Sequence, residues 1–366
     1  MRQLTGHEAS FLYSDTTHSN SNVTLIQIYD QSTAPGGIVR FKSVLAHIES
    51  RLDRSPIFRN KVMRMPLELT YPYWIEDENF DLEYHVRHIA LPKPGNWRQF
   101  CIQASRIHAR PLDLNRPLWE IYVMEGLDSF VDLPVGSFAM LIKIHHAAID
   151  LELGGDISQL LHDLSPLPPA PEPAKPWFPK SAPGRLRLLW KGAATAVRQP
   201  FRVSPPVHRA FSRLAPMAVN FVKDMLSDAA TMTTTRFNSV VSTHRVFDTR
   251  RFRLDQFKAI RALVPGATVN DAAIAICAGA LRSYLQSKDE LPETSLTAVA
   301  PIYQRDVSDG GKPQRKVSWV RVALGTNMAD PVARLRAIRD QTRSSSVIAQ
   351  AIRADELTDV AQHAPA

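Results

Sequence analysis

Residues 143–157, KIHHAAIDLELGGDI, hold the side chains of this chain best suited to chemistry. His145 and His146 end an apolar run, and Asp150 follows four residues after the second histidine. Imidazole titrates near neutral pH, so one of these rings could take the proton of an alcohol as it attacks an acyl carbonyl. A metal site is the rival chemistry. Successive side chains of a strand point to opposite faces, which groups His146 with Ile142 and Ile144 and His145 with Lys143. Neighbouring histidines so disposed do not readily share one ion, and no third ligand stands at a familiar spacing, so no metal is expected. A purely structural pair of histidines at a strand end fits HHxxxD as well as a base does. Asp150 would then brace the loop or fix a ring orientation. No serine or cysteine lies in a GxSxG context, so nothing supports a covalent acyl-enzyme. Direct transfer between two bound substrates needs only one base and an oxyanion donor.

The elements that must position this segment follow from periodicity. Residues 22–30 (NVTLIQIYD) alternate and predict a strand, and 38–52 carry apolar residues at helical spacing. Residues 79–91 predict a strand with its approach, and 97–110 an amphipathic helix. Two strands follow at 118–127 and 137–146, the second apolar almost throughout and therefore central. A helix is expected over 155–164. Residues 165–184, SPLPPAPEPAKPWFPKSAPG, are too rich in proline for regular structure and predict a stiff linker. GRLRLLWKGAATAVRQPF (184–201) mixes basic and apolar residues, as a packed amphipathic helix or a membrane-surface helix would. Beyond it the patterns predict a strand at 239–248, helices at 254–263 and 269–286, a strand at 295–302 and a helix over 331–342. The expected organisation is a first α/β half over 1–164, a linker with basic crossover helices over 165–235, and a second half over 236–366.

The chain has 366 residues, is 44% hydrophobic and carries a net charge of +8, enough for sizeable cores and suited to an anionic partner. The basic residues are scattered and no nucleic-acid motif is present, so nucleic acid is not expected as a partner. Cys101 and Cys277 are the only cysteines. Both fall in apolar helical patterns, which argues against a disulfide framework and fits a reducing cytosol. The N-terminus lacks the apolar core of a signal peptide, and no run is long enough to span a bilayer. If the protein meets a membrane, it lies on its surface.

Several segments together resemble the bacterial wax ester synthase/diacylglycerol acyltransferase family. The family's HHxxxDG motif is similar to His145 through Asp150, and its PLDxxRPLW block is similar to Pro111, Leu112, Asp113, Arg116, Pro117, Leu118 and Trp119. TVNDAAIAICAGALRSYL (268–285) looks like the family's ND helix, with Asn270 and Asp271 in place. Weaker matches at 7–12, 80–95, 236–238 and 330–343 keep the family's order along nearly the whole chain. The resemblance implies a mixed α/β fold of two chloramphenicol-acetyltransferase-like halves with the active site in a channel between them. It implies acyl-CoA as co-substrate with no tightly bound cofactor, and diacylglycerol or a long-chain alcohol as acceptor. His146 would be the general base, with His145 in support and Asp150 architectural. Asn270 would stand near the oxyanion or the channel, although capping a helix explains Asn270 and Asp271 equally well. Pro117, Leu118 and Trp119 would line or support the channel. Arg116 would pair with an acid such as Asp150 or with a CoA phosphate. A cytoplasmic protein, peripheral on the inner membrane face or on lipid droplets, and a homo-oligomer are further expectations.

Two departures qualify the resemblance. Leu151 stands where the family has glycine, and a side chain held at positive φ there would cost roughly 1–2 kcal/mol. The second half looks shortened, with KVSWVRVALGTN (316–327) a poor match to the family's glycine-asparagine block. A lipid-binding remnant with weak turnover and a carrier-protein-dependent condensation-type acyltransferase are therefore the competing functions.

Overall fold

The computed structural model describes residues 1–64, 71–130, 133–149, 157–163, 165, 177–180, 184, 235–307 and 313–351. Asp150, Leu151 and Gly154–Gly155, most of the proline-dense stretch, the segment 185–201 and the polar tail lie outside them. Two compact units divide the chain, Met1–Arg202 with Val241–Asp248, and Val203–Val240 with Thr249–Ala366. Residues 241–248 therefore belong to the first unit, although the sequence pattern groups them with the second.

The first unit is organised by a four-stranded sheet in the order β2 (Asn22–Tyr29), β7 (Phe138–His145), β6 (Trp119–Glu125), β5 (Val86–Ala90). β7 pairs antiparallel with both neighbours, whereas β5 and β6 run parallel. A second sheet of three strands joins β1 (Arg2–Gln3), β4 (Tyr73–Glu76) and β3 (Asn60–Met63). Every residue of β7 is buried, as an apolar run covered on both faces should be.

Alternation along the strands sorts side chains into two cores. Ile121, Val123, Ile142 and Ile144 face one core with Ala9 and Leu12 of α1 (Gly6–Ser14), Val44 and Ile48 of α2 (Phe41–Glu49), and Ile157 and Leu161 of α5 (Ile157–Leu161). Tyr122, Met124, Ala139 and Leu141 face the other, covered by Phe100, Cys101, Ala104 and Ile107 of α4 (Trp97–Ala109). These four α4 residues repeat at i, i+1, i+4 and i+7, one stripe of a helix. Asn96 starts that helix in a reciprocal capping box with Gln99. The predicted strand with its approach at 79–91 resolves into a short α3 (Leu82–His85) running into β5.

The second unit contains α6 (Leu254–Ala262), α7 (Val269–Gln286), the antiparallel pair β8 (Thr297–Val307) and β9 (Pro313–Ala323), and α8 (Pro331–Ala351). Val264, Ala275, Ala278, Val322, Leu324, Leu335 and Ile338 form its core. Two expectations are corrected here. Residues 239–248 join no sheet, because alternation specifies an extended chain but supplies no ladder partner, and Val246 is fully exposed. The helix predicted over 331–342 runs on to Ala351.

Candidate active site

β7 delivers the histidine pair and stops between its two members. His145 is the last strand residue, and a 3-10 turn begins at His146 and ends at Ala148. Strand alternation therefore does not extend to His146, and the turn sets its direction instead. His145 is only 1% exposed. Its Nδ1 accepts from the Ala147 backbone N–H at 3.1 Å, which leaves Nε2 as the protonated nitrogen. Nε2–H donates to Asp15 Oδ2 at 2.9 Å, and Asp15 Oδ1 accepts from the Ser21 N–H at 2.6 Å. One tautomer of His145 thus staples the turn to the loop after α1.

The same loop and the PLW strand hold the backbone. The His146 N–H donates to the Ser21 carbonyl at 2.8 Å, and the His145 N–H to the Leu118 carbonyl at 3.0 Å. The His146 ring is half-buried and stacks on Phe11 at 4.8 Å between centroids, with the planes 18° apart. Phe11 is fixed because α1 is capped at Thr5 and Glu8 and buries Ala9 and Leu12. Of the pair, His145 is structural bracing and His146 is the ring presented beside it. Among the described residues no group of three His, Cys, Asp or Glu side chains is placed to hold a metal ion.

Pro117, Leu118 and Trp119 are buried, the last two completely. Trp119 Nε1–H donates to the Phe58 carbonyl at 3.0 Å, so its one polar atom is satisfied. Arg116 lies over the Tyr84 ring at 3.8 Å, with its Nε 3.7 Å from Asp113 Oδ2. Asn270 and Asp271 belong to the second unit. Asn270 is exposed in the first turn of α7. Asp271 is buried, and its Oδ2 accepts from the Thr268 N–H at 2.7 Å and hydroxyl at 2.8 Å. Its Oδ1 accepts from the Thr342 hydroxyl of α8 at 2.8 Å. Asp271 caps its own helix and ties it to the next.

Three residues near the histidines escape motif reasoning. Asp15 is one, since nothing local marks a partner 130 positions away. His85 is another: its Nδ1–H donates to the Trp119 carbonyl at 2.6 Å, while its Nε2 is buried without a partner between the Phe80 and Trp119 rings. Burial pushes the His85 imidazole below the usual histidine range, so it stays neutral. The third is Lys143. Fully buried, it donates from Nζ to the Ile107 carbonyl at 2.9 Å and to the Arg110 carbonyl, the last acceptors of α4. Burial pushes its pKa down to about 8. A lysine inside an apolar strand was the available signal for such a cap.

A family profile for the wax ester synthase/diacylglycerol acyltransferase catalytic domain matches residues 4–273. A provisionally named diacylglycerol O-acyltransferase of Mycobacterium tuberculosis is 31% identical over 343 residues, covering 92% of this chain. The O-acyltransferase WSD of Acinetobacter baylyi is 31% identical over 303 residues, covering 79% of this chain. The chain spans 65% of the length of the first relative and 60% of the second. Among solved structures, the wax ester synthase/diacylglycerol acyltransferase of Marinobacter aquaeolei superposes over 99% of this chain and 75% of its own, with a TM-score of 0.63 at 22% identity. The first condensation domain of a calcium-dependent antibiotic synthetase covers 98% of this chain and 76% of its own, with a TM-score of 0.52 at 14% identity. The mixed α/β fold is the one these proteins share. The chain belongs to the wax ester synthase/diacylglycerol acyltransferase family.

Proposed function

We propose that this chain is an acyl-CoA-dependent O-acyltransferase that esterifies diacylglycerol or a long-chain alcohol, with His146 as general base. The observation that carries the reading is the division of labour in the histidine pair. Both ring nitrogens of His145 are engaged in bracing, whereas His146 is set half-buried on a stacking surface at the end of the central strand. The names of the relatives support the class of reaction.

The chemistry follows from one imidazole. The acceptor hydroxyl gives its proton to His146 as its oxygen attacks the thioester carbonyl. The tetrahedral intermediate then collapses, the carbon–sulfur bond breaks, and the imidazolium returns the proton to the departing thiolate. No oxidant, reductant or covalent enzyme intermediate is required. Asn270 is kept as the candidate oxyanion or channel residue and Arg116 as the candidate channel-side cation. Asp271 and Trp119 act through the scaffold. The protein works as a peripheral partner of a membrane or lipid-droplet surface, where its acceptors reside. No helix of the described residues is long and apolar enough to cross a membrane, which accords with surface contact.

The test is transfer of a labelled acyl group from acyl-CoA to diacylglycerol and to hexadecanol by wild type and His146→Ala in parallel. Transfer by wild type and its loss in the variant is the expected result. Transfer that survives in the variant overturns the role of His146. Binding of acyl-CoA with no turnover in wild type favours the remnant reading, which Leu151 in place of the motif glycine motivates. Transfer from an acyl-carrier protein but not from acyl-CoA favours the condensation-type reading.

A further inference from the structure

On the side of α4 away from its buried stripe, Arg98, Ile102 and Arg106 recur at intervals of four and share one face, and Arg110 follows at the C-terminal cap and lines the same groove. The returning segment 241–248 lies alongside, held by Trp97 Nε1–H donating to Asp248 Oδ1 at 2.8 Å and by Arg245 donating to the His18 carbonyl at 2.8 Å. Between helix and segment runs a groove of about 360 Å³. Cys101 and Ser105 form its floor, and His244, Arg245, Val246 and Phe247 its far wall.

Two features mark this groove as a binding surface rather than a solvated face. No salt bridge among the described residues engages Arg98, Arg106 or Arg110 and none of the residues lining the groove is acidic, so three cations share one groove without an ion-pair partner, while the adjacent Asp248 accepts from Trp97. Beside the cations stand apolar side chains left in water, with Val246 fully exposed and Ile102 40% exposed. Guanidinium groups around apolar contacts match a phosphate headgroup with hydrocarbon beneath it, the chemistry of an anionic phospholipid at a bilayer surface. We infer that the groove between α4 and residues 241–248 is an anionic-lipid docking site through which the protein attaches to a membrane or droplet surface. Choosing a lipid over a soluble anion rests on the reading of the chain as an acyltransferase for lipid acceptors.

The experiment measures flotation of the 366-residue chain with phosphatidylcholine vesicles and with mixed phosphatidylcholine/phosphatidylglycerol vesicles, separately from acyl transfer. Wild type should float with the mixed vesicles only. Arg98→Ala/Arg106→Ala should bind them about thirtyfold more weakly, at roughly fivefold per basic residue near an anionic surface. Raising the ionic strength from about 0.1 M to about 1 M should release wild type, since the screening length falls from about 10 Å to about 3 Å. Val246→Ser should weaken binding without changing its salt dependence. His146→Ala should float like wild type, so a failure of the acyltransfer reading does not imitate a failure of this one. Failure of wild type to float, or unchanged flotation in the arginine pair, overturns the proposal. A raised KM for acyl-CoA in the arginine pair with flotation intact also overturns it, and assigns the groove to the soluble co-substrate.

Discussion

His145 and Asp271 are both almost fully buried, whereas the residues beside them in their motifs, His146 and Asn270, are half-buried and exposed. In each pair the buried member uses its side-chain polar atoms on the scaffold, and the other is the less buried. The bracing differs in range. His145 reaches Asp15, 130 positions away, across the end of a strand. Asp271 finds Thr268 three positions back in its own helix cap and adds Thr342 from α8. A pair of adjacent motif residues therefore need not be a pair of catalytic residues, and the long-range brace is the more vulnerable of the two.

Substitutions at four positions separate these roles, from the largest effect to the smallest. His146→Ala should lower the transfer rate by about 10²–10⁴-fold with an unchanged circular dichroism spectrum, the range for losing a general base. Asp15→Ala should leave the buried His145 Nε2–H unpaired, costing about 1–3 kcal/mol in urea unfolding. With the turn loosened, kcat should fall by up to ~10²-fold with KM little changed, and Asp15→Asn, which keeps an acceptor, should recover part of both. An Asp15→Ala enzyme with full kcat would reduce the brace to a stability feature. Asp271→Ala should cost about 2 kcal/mol in the second unit through the lost cap and the lost tie to α8, although the Thr342 hydroxyl keeps the Arg339 carbonyl as an acceptor. If Asp271 is scaffold alone, transfer per folded molecule survives, and a matching fall in kcat would return it to the chemistry. Asn270→Ala should shift stability by less than about 0.5 kcal/mol, so any fall in its turnover reports on substrate.

A fifth position is read from a change of slope with pH. Burial depresses the His85 pKa in the folded state, so below the unfolded value the denatured chain takes up a proton that the native chain resists. His85 thus favours folding fully above about pH 6.5 and progressively less as the pH falls. His85→Phe should lose about 1 kcal/mol at pH 8 with the Trp119 hydrogen bond, yet show a shallower loss of stability between about pH 6.5 and 5. A slope identical to wild type would place the acid sensitivity elsewhere.

Much of this arrangement is legible in the sequence because it is local. An eight-residue strand that is apolar but for Lys143 and His145 announces β7 as central, and the capping boxes at Asn96 and Thr268 announce the helices that follow. The histidine pair and the PLW block stand in the sequence as motifs. What is not legible is tertiary. Nothing at residue 15 signals a histidine 130 positions on, and nothing in His85 signals that its second nitrogen lies among aromatic rings. Residues 239–248 mislead for a related reason, since side-chain alternation describes an extended backbone whether or not a neighbour completes the ladder.

Lys143 carries a last consequence. Its ammonium and the side-chain amides of Asn20 and Asn22 converge on the carbonyls of Ile107, Ala109 and Arg110. Below about pH 8 the lysine remains charged inside the sheet, so unwinding the end of α4 would strand a buried cation without acceptors. The helix bearing the arginine stripe and the strand bearing the histidines are thereby coupled in their openings. In hydrogen exchange, the amides of the last turns of α4 and those of β7 should behave as one cooperative unit, released together rather than fraying from the helix end inward.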